Sequence, residues 1–105
     1  AVLTIYGGVG NDSIRPPDLT PVNAAGSLIY GGDGNDTLVD SQRNDTIYGG
    51  AGDDVFLYSD SVNGWTAWAD LLYGGDGNDS FVGIAGDTVY AGNGNDTITA
   101  VAFAN

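Results

Sequence analysis

Apolar residues along this chain keep a fixed place in a nine-residue unit. Five segments carry that unit in full: GGVGNDSIR from Gly7, GGDGNDTLV from Gly31, GGAGDDVFL from Gly49, GGDGNDSFV from Gly74 and AGNGNDTIT from Ala91. Each spends glycines on a tight turn, places Asp at position six and an apolar residue at position eight. Between them run degenerate units that lack the glycines but keep the ending, in the triplets Thr4-Ile5-Tyr6, Leu28-Ile29-Tyr30, Thr46-Ile47-Tyr48, Leu71-Leu72-Tyr73 and Thr88-Val89-Tyr90. Side chains alternate across a strand, so positions seven to nine predict a short strand with position eight inward and its neighbours outward. The inward set is Ile5, Ile14, Ile29, Leu38, Ile47, Phe56, Leu72, Phe81, Val89 and Ile98, all apolar and mostly branched or aromatic, as strands favour.

Full and degenerate units alternate, and in a two-sided coil that alternation becomes segregation. All five full turns are expected on one edge and the degenerate turns on the other. The prediction is a single all-β domain over residues 1–105 with two surface loops, at about 16–26 and 58–69. The first contains PPDLTP, which suits an extended or turning segment and excludes helix. The second, YSDSVNGWTAWA, holds both tryptophans, Trp65 and Trp68, read as anchoring that loop on the coil.

Composition narrows the chemistry. The 14 acidic residues are all Asp, against Arg15 and Arg43 alone, for a net charge of −12. Such a chain repels nucleic acid and anionic membranes. No apolar run reaches membrane-spanning length, and no basic-then-apolar leader is present. Ala1 in place of a starting Met reads as a processed protein or an excised piece. With no Cys, His or Lys, the chain lacks the parts of disulfides, thiolate or imidazole metal sites, a Ser-His-Asp triad or a Schiff base, so an enzyme is not expected. Short carboxylates beside glycine turns point instead to a hard cation held by oxygen.

These repeats resemble the repeats-in-toxin (RTX) family of calcium-binding β-rolls, found in secreted bacterial toxins, proteases, lipases, adhesins and surface-layer proteins, and the resemblance covers nearly the whole chain. It implies a right-handed parallel β-roll, a β-helix solenoid with Ca2+ bound between stacked turns, six residues forming each turn and three each strand. Carried over by position, the metal carboxylates are Asp12 with Asp36, Asp36 with Asp54, Asp54 with Asp79 and Asp79 with Asp96. Backbone carbonyls of the first four positions complete the shells: Gly7, Gly8, Val9 and Gly10; Gly31, Gly32, Asp33 and Gly34; Gly49, Gly50, Ala51 and Gly52; Gly74, Gly75, Asp76 and Gly77; Ala91, Gly92, Asn93 and Gly94. Five turns imply about four Ca2+ sites on one edge. Ala91 departs from the first glycine, a mild change where only a carbonyl is needed. On the opposite edge Asp45, Asp70 and Asp87 are read as makers of turn hydrogen bonds, with at most one or two weak metal sites.

Tyr6, Tyr30, Tyr48, Tyr73 and Tyr90 all fall at position nine, which predicts a ladder on the outer face of one sheet, either stacking for its own sake or a contact surface. Outer Thr positions are too interrupted by Leu28, Val55 and Leu71 for a flat repetitive array that recognises ice or carbohydrate. Neither end shows a polar cap, and residues 97–103 alternate as a longer terminal strand. Ten strand units let a second copy continue the ladder head to tail, with one more Ca2+ between the Asp96 and Asp12 turns. The leading expectation is therefore an extracellular structural or assembly protein that folds on calcium and builds filaments. The alternative is a non-catalytic C-terminal module of a larger secreted protease, lipase, toxin or adhesin. The resemblance further implies bacterial type I secretion.

Overall fold

The computed structural model describes residues 3–15, 27–39, 45–57, 70–82 and 88–99. Among them run ten strands: β1 Leu3–Val9, β2 Ser13–Ile14, β3 Ser27–Asp33, β4 Thr37–Val39, β5 Thr46–Ala51, β6 Val55–Leu57, β7 Leu71–Asp76, β8 Ser80–Val82, β9 Thr88–Tyr90 and β10 Thr97–Thr99. Odd strands form one parallel sheet in the order β1-β3-β5-β7-β9 and even strands a second in the order β10-β8-β6-β4-β2. Consecutive strands thus change sheet at every turn, giving the expected parallel β-roll. The two expected loops, both tryptophans, Arg43, Asp87 and residues 100–103 lie outside the described residues.

Register follows the nonapeptide without slippage. Ile5 pairs with Ile29, Ile29 with Ile47, Ile47 with Leu72 and Leu72 with Val89, while Ile14, Leu38, Phe56, Phe81 and Ile98 align across the other sheet. A one-residue slip would turn every position-eight side chain outward, which is why the apolar column sets the register. Ile14, Ile29, Leu38, Ile47, Phe56, Leu72 and Phe81 are buried between the sheets, with Ile5, Val89 and Ala91 packed against them. Phe56 and Phe81 stack with ring centroids 4.5 Å apart. Ile98 differs from its expected burial: on the last described rung of its sheet it remains 49% exposed, because β10 has a neighbour only in β8.

The strands of the odd sheet run further than the three residues expected. Positions one to three of the full turns continue the ladder, so Gly8 pairs with Gly32, Gly32 with Gly50 and Gly50 with Gly75. The cause is the identical backbone course of the full turns: position two lies at φ of 86–97° and position four at 108–115° in all five. That left-handed region suits glycine alone without strain. Superposable turns pair their backbones as strands do.

Tyrosines of the odd sheet stack in one column, Tyr6–Tyr30–Tyr48–Tyr73–Tyr90, with centroids 4.6–5.0 Å apart and ring planes within 9° of parallel. Phe81 fills the core at a rung between two others. Replacing it by Ala should destabilise the folded coil by about 3–5 kcal/mol, the usual result of emptying a buried aromatic site. Denaturant unfolding with saturating calcium checks this, and a loss below about 1 kcal/mol would contradict the packing described.

Candidate metal centre

Position-six aspartates of the full turns fall in a column on one edge, between the two sheets. Asp36, Asp54 and Asp79 are each only 1% exposed, and Asp12 and Asp96 are partly buried. Asp36, Asp54 and Asp79 each divide their two oxygens. Oδ1 accepts the backbone N–H of the preceding turn's aspartate: Asp12 N–H donates to Asp36 at 2.9 Å, Asp36 to Asp54 at 2.9 Å, Asp54 to Asp79 at 2.9 Å and Asp79 to Asp96 at 2.8 Å. The second oxygen, Oδ2, of Asp12, Asp36, Asp54 and Asp79 is buried and has no hydrogen-bond partner. Buried anionic oxygens left in that state cost several kcal/mol unless a cation or proton meets them.

Each of these oxygens opens onto a small space of its own, alike in all four gaps. A methyl group at Gly7 would lie 2.5 Å from Gly31 O and 2.7 Å from Asp12 Oδ2; at Gly31, 2.6 Å from Asp36 Oδ2 and 2.7 Å from Gly49 O. At Gly49 it would meet Asp54 Oδ2 at 2.5 Å and Gly74 O at 2.7 Å, and at Gly74 both Ala91 O and Asp79 Oδ2 at 2.5 Å. Position one is glycine there for space, since none of these four has a positive φ. Ala91, in the last described full turn, faces no further described turn and lays its methyl against the core. Four oxygen-lined cradles thus lie in the four gaps between five turns.

The remaining expected positions arrange around them. Positions two and four, Gly8, Gly10, Gly32, Gly34, Gly50, Gly52, Gly75, Gly77, Gly92 and Gly94, make the bends. A side chain at Gly32 or Gly34 would strike the carbonyl of Gly8 or Gly10. At position three, Asp33, Ala51 and Asp76 use their carbonyls to accept the N–H of Gly10, Gly34 and Gly52 at 3.0–3.1 Å. Val9 and the side chains of Asp33, Ala51, Asp76 and Asn93 are exposed.

Position five is a further element, one that reading for turns and core passes over. Asn35 N–H donates to Asn11 Oδ1, Asp53 N–H to Asn35 Oδ1, Asn78 N–H to Asp53 Oδ1 and Asn95 N–H to Asn78 Oδ1, all at 2.8 Å. The signal was present as an uninterrupted Asn/Asp column beside the conspicuous Asp of position six.

On the opposite edge Asp45 and Asp70 are buried and built into similar ladders. Ser27 N–H donates to Asp45 Oδ1 at 2.6 Å and Asp45 N–H to Asp70 Oδ1 at 2.7 Å, while both have further interactions. Their carbonyls accept Leu71 N–H and Thr88 N–H at 2.9 Å. Neither carries an orphaned oxygen of the kind found on the full edge. These bonds favour the turn-forming reading for Asp45 and Asp70.

Electrostatics sharpen the contrast. Burial pushes the Asp54 carboxyl up to about 7, opposed by the hydrogen bond from Asp36 N–H and reinforced by the charges of Asp79 and Asp36. Burial likewise raises Asp79 to about 6, opposed by the Asp54 N–H and reinforced by Asp96 and Asp53. Asp36 is raised by burial, with the Asp12 N–H opposing. No three acidic side chains converge on a point among the described residues. A cation here would be met by single carboxylate oxygens and backbone carbonyls, an all-oxygen donor set that suits a hard ion of calcium's size.

A family model, the RTX calcium-binding nonapeptide repeat (4 copies), matches residues 4–15, 30–64, 69–87 and 81–101, together well over half of the chain. No curated protein and no solved structure matches it.

Raised carboxyl values make the metal-free coil acid-favoured. The contribution of Asp54 and Asp79 is fully present below the unfolded value of about 3.9 and is lost as pH climbs through about 6 to about 7. In chelator, strand content by circular dichroism should therefore be greater near about pH 4.5 than near about pH 8. Equal or opposite behaviour would contradict the assignment of unpaired carboxylates to this edge.

Proposed function

The chain belongs to the RTX calcium-binding nonapeptide repeat family, and from that premise we propose that it is an extracellular structural module whose folding is driven by calcium seated in the cradles of the full-turn edge. The observation that carries this reading is the orphaned Oδ2 of Asp12, Asp36, Asp54 and Asp79, each facing the position-one carbonyl of the following turn. Asp12, Asp36, Asp54 and Asp79 supply Oδ2, and Gly31, Gly49, Gly74 and Ala91 supply facing carbonyls. Asp96 closes the series through its hydrogen bond from Asp79 N–H. About four ions result, one per gap, and their roughly eight charges offset most of the net −12.

What calcium supplies is positive charge and a preference for many oxygens. The chain supplies geometry: positive-φ glycines bend the turn, the Asp N–H bonds hold each carboxylate, and the sheets fix the distance between turns. Ligands from successive turns meet only in the folded state, so binding free energy is folding free energy. Low calcium inside a cell keeps such a chain unfolded for export, and high calcium outside folds it. The family's repeats are structural, and the proposed role needs no catalysis.

The finer reading is calcium-dependent self-assembly. Each turn ladder keeps its own direction from end to end, and the two run opposite ways: Oδ1 of each later position-six Asp accepts from the earlier turn, and Oδ1 of each position-five residue accepts from the later one. The described rungs at the two ends are therefore complementary. Tyr6 is 73% and Tyr90 53% exposed, leaving the ring column open at both. A second copy would continue the sheets and place Asp96 beside its Asp12, in a heterologous contact that does not close.

Two measurements test these readings. Asp54→Ala should remove an Oδ2 from one cradle and the Oδ1 tie of the Asp36 turn, lowering calcium stoichiometry by one to two and flattening the folding transition; an unchanged titration by calorimetry and circular dichroism would overturn the ligand assignment. Sedimentation velocity should show particles lengthening on calcium addition and reverting in chelator, whereas a calcium-loaded monomer at high concentration would refute assembly.

A further inference from the structure

We propose that Ala91 ends the calcium series at the fifth full turn: its carbonyl completes the fourth cradle, while its methyl fills the place where a fifth ion would sit. This inference rests on the calcium reading above. Position one is glycine in four full turns, Gly7, Gly31, Gly49 and Gly74, and carries a side chain only at Ala91. The exception is chemically small. What decides its effect is where a position-one methyl points.

In the first four turns the repeat fixes that direction. A Cβ at Gly7, Gly31, Gly49 or Gly74 would stand 2.5–2.7 Å from Oδ2 of its own turn's Asp and 2.5–2.7 Å from the position-one carbonyl of the next turn. Calcium bonds oxygen at about 2.3–2.6 Å. A methyl and the ion therefore compete for one place. The same vector also leads to the core: Ile14 Cδ1 lies 3.1 Å from the Cβ position at Gly7, and Phe81 Cζ 3.0 Å from that at Gly74. Ala91 packs against this core, as a methyl on that vector must.

The two sides of the fifth turn consequently differ. Toward the fourth turn it presents Ala91 O, 2.5 Å from the Cβ position at Gly74, and the Asp96 Oδ1 that accepts Asp79 N–H at 2.8 Å. On its far side the methyl takes the cradle's place, and Asp96, unlike Asp12, Asp36, Asp54 and Asp79, has no buried oxygen without a partner. A turn stacked there, such as the Gly7 turn of a second copy, continues the hydrogen-bond ladders but finds no room for an ion. The additional ion expected between the Asp96 and Asp12 turns then has no seat. Head-to-tail growth depends on calcium through the folding of each copy, not through a shared metal.

Moving the methyl tests this. Gly7→Ala places it in the first gap, on a rung whose β1 pairs only with β3, and calorimetry of the full chain should find one calcium ion fewer than in the parent. An unchanged count would overturn the proposal. The converse variant, Ala91→Gly, opens a fifth cradle that a second copy completes. With calcium about tenfold above that site's dissociation constant, sedimentation velocity should show end-to-end association about tenfold tighter than in the parent. Equal association of the two proteins would also overturn the proposal. If the parent binds no calcium, the calcium reading itself fails; if it binds calcium and either contrary result appears, only the role of Ala91 is refuted.

Discussion

A column of carboxylates on one edge, in which the buried Asp36, Asp54 and Asp79 each tie one oxygen to a backbone N–H and leave the other without a partner, is the constraint on which the rest of this fold depends. Neighbouring rungs of a parallel sheet stand about 4.8 Å apart, and like charges at that spacing repel by an amount on the order of a kcal/mol or more per pair. The hydrogen bonds from Asp12, Asp36, Asp54 and Asp79 N–H hold the column in place but do not neutralise it. Only protons or cations do. The apolar column of Ile29, Leu38, Ile47, Phe56, Leu72 and Phe81 supplies cohesion between the sheets, yet it is one residue wide at each rung. So thin a core cannot alone oppose both that repulsion and the ordering of a chain with 18 glycines.

Glycine serves this arrangement in two distinct ways. Positions two and four need the left-handed backbone, which bends the chain back within six residues. Position one needs emptiness, because any side chain there would occupy the space shared by an Asp Oδ2 and the next turn's carbonyl. The tolerance of Ala91 follows, since no described turn lies beyond it. Turn shape and metal cradle are thus separate requirements met by adjacent residues.

Much of this was legible in the residues themselves. Position eight announced the core, alternation of full and degenerate units announced two sheets with one acidic edge, and five tyrosines at position nine announced the stacked column. Ile98 shows the limit of that reasoning, because periodicity assigns a direction and burial needs neighbours on both sides. The continuation of β1, β3, β5 and β7 into the glycines was not legible, since strand propensity argues against glycine and only the coincidence of five identical turns creates the pairing. Nor was the division of labour between Oδ1 and Oδ2, which depends on which way each carboxylate turns. The position-five ladder was written in the sequence but looked like ordinary turn chemistry.

Amide hydrogen exchange at Asp12, Asp36, Asp54 and Asp79 tests the central claim most directly, because these N–H groups donate to the carboxylates in question. At neutral pH they should be strongly protected with calcium and exchange at unfolded rates in chelator. Equal protection in both conditions would show that the acidic column holds together without a cation, and would contradict the account.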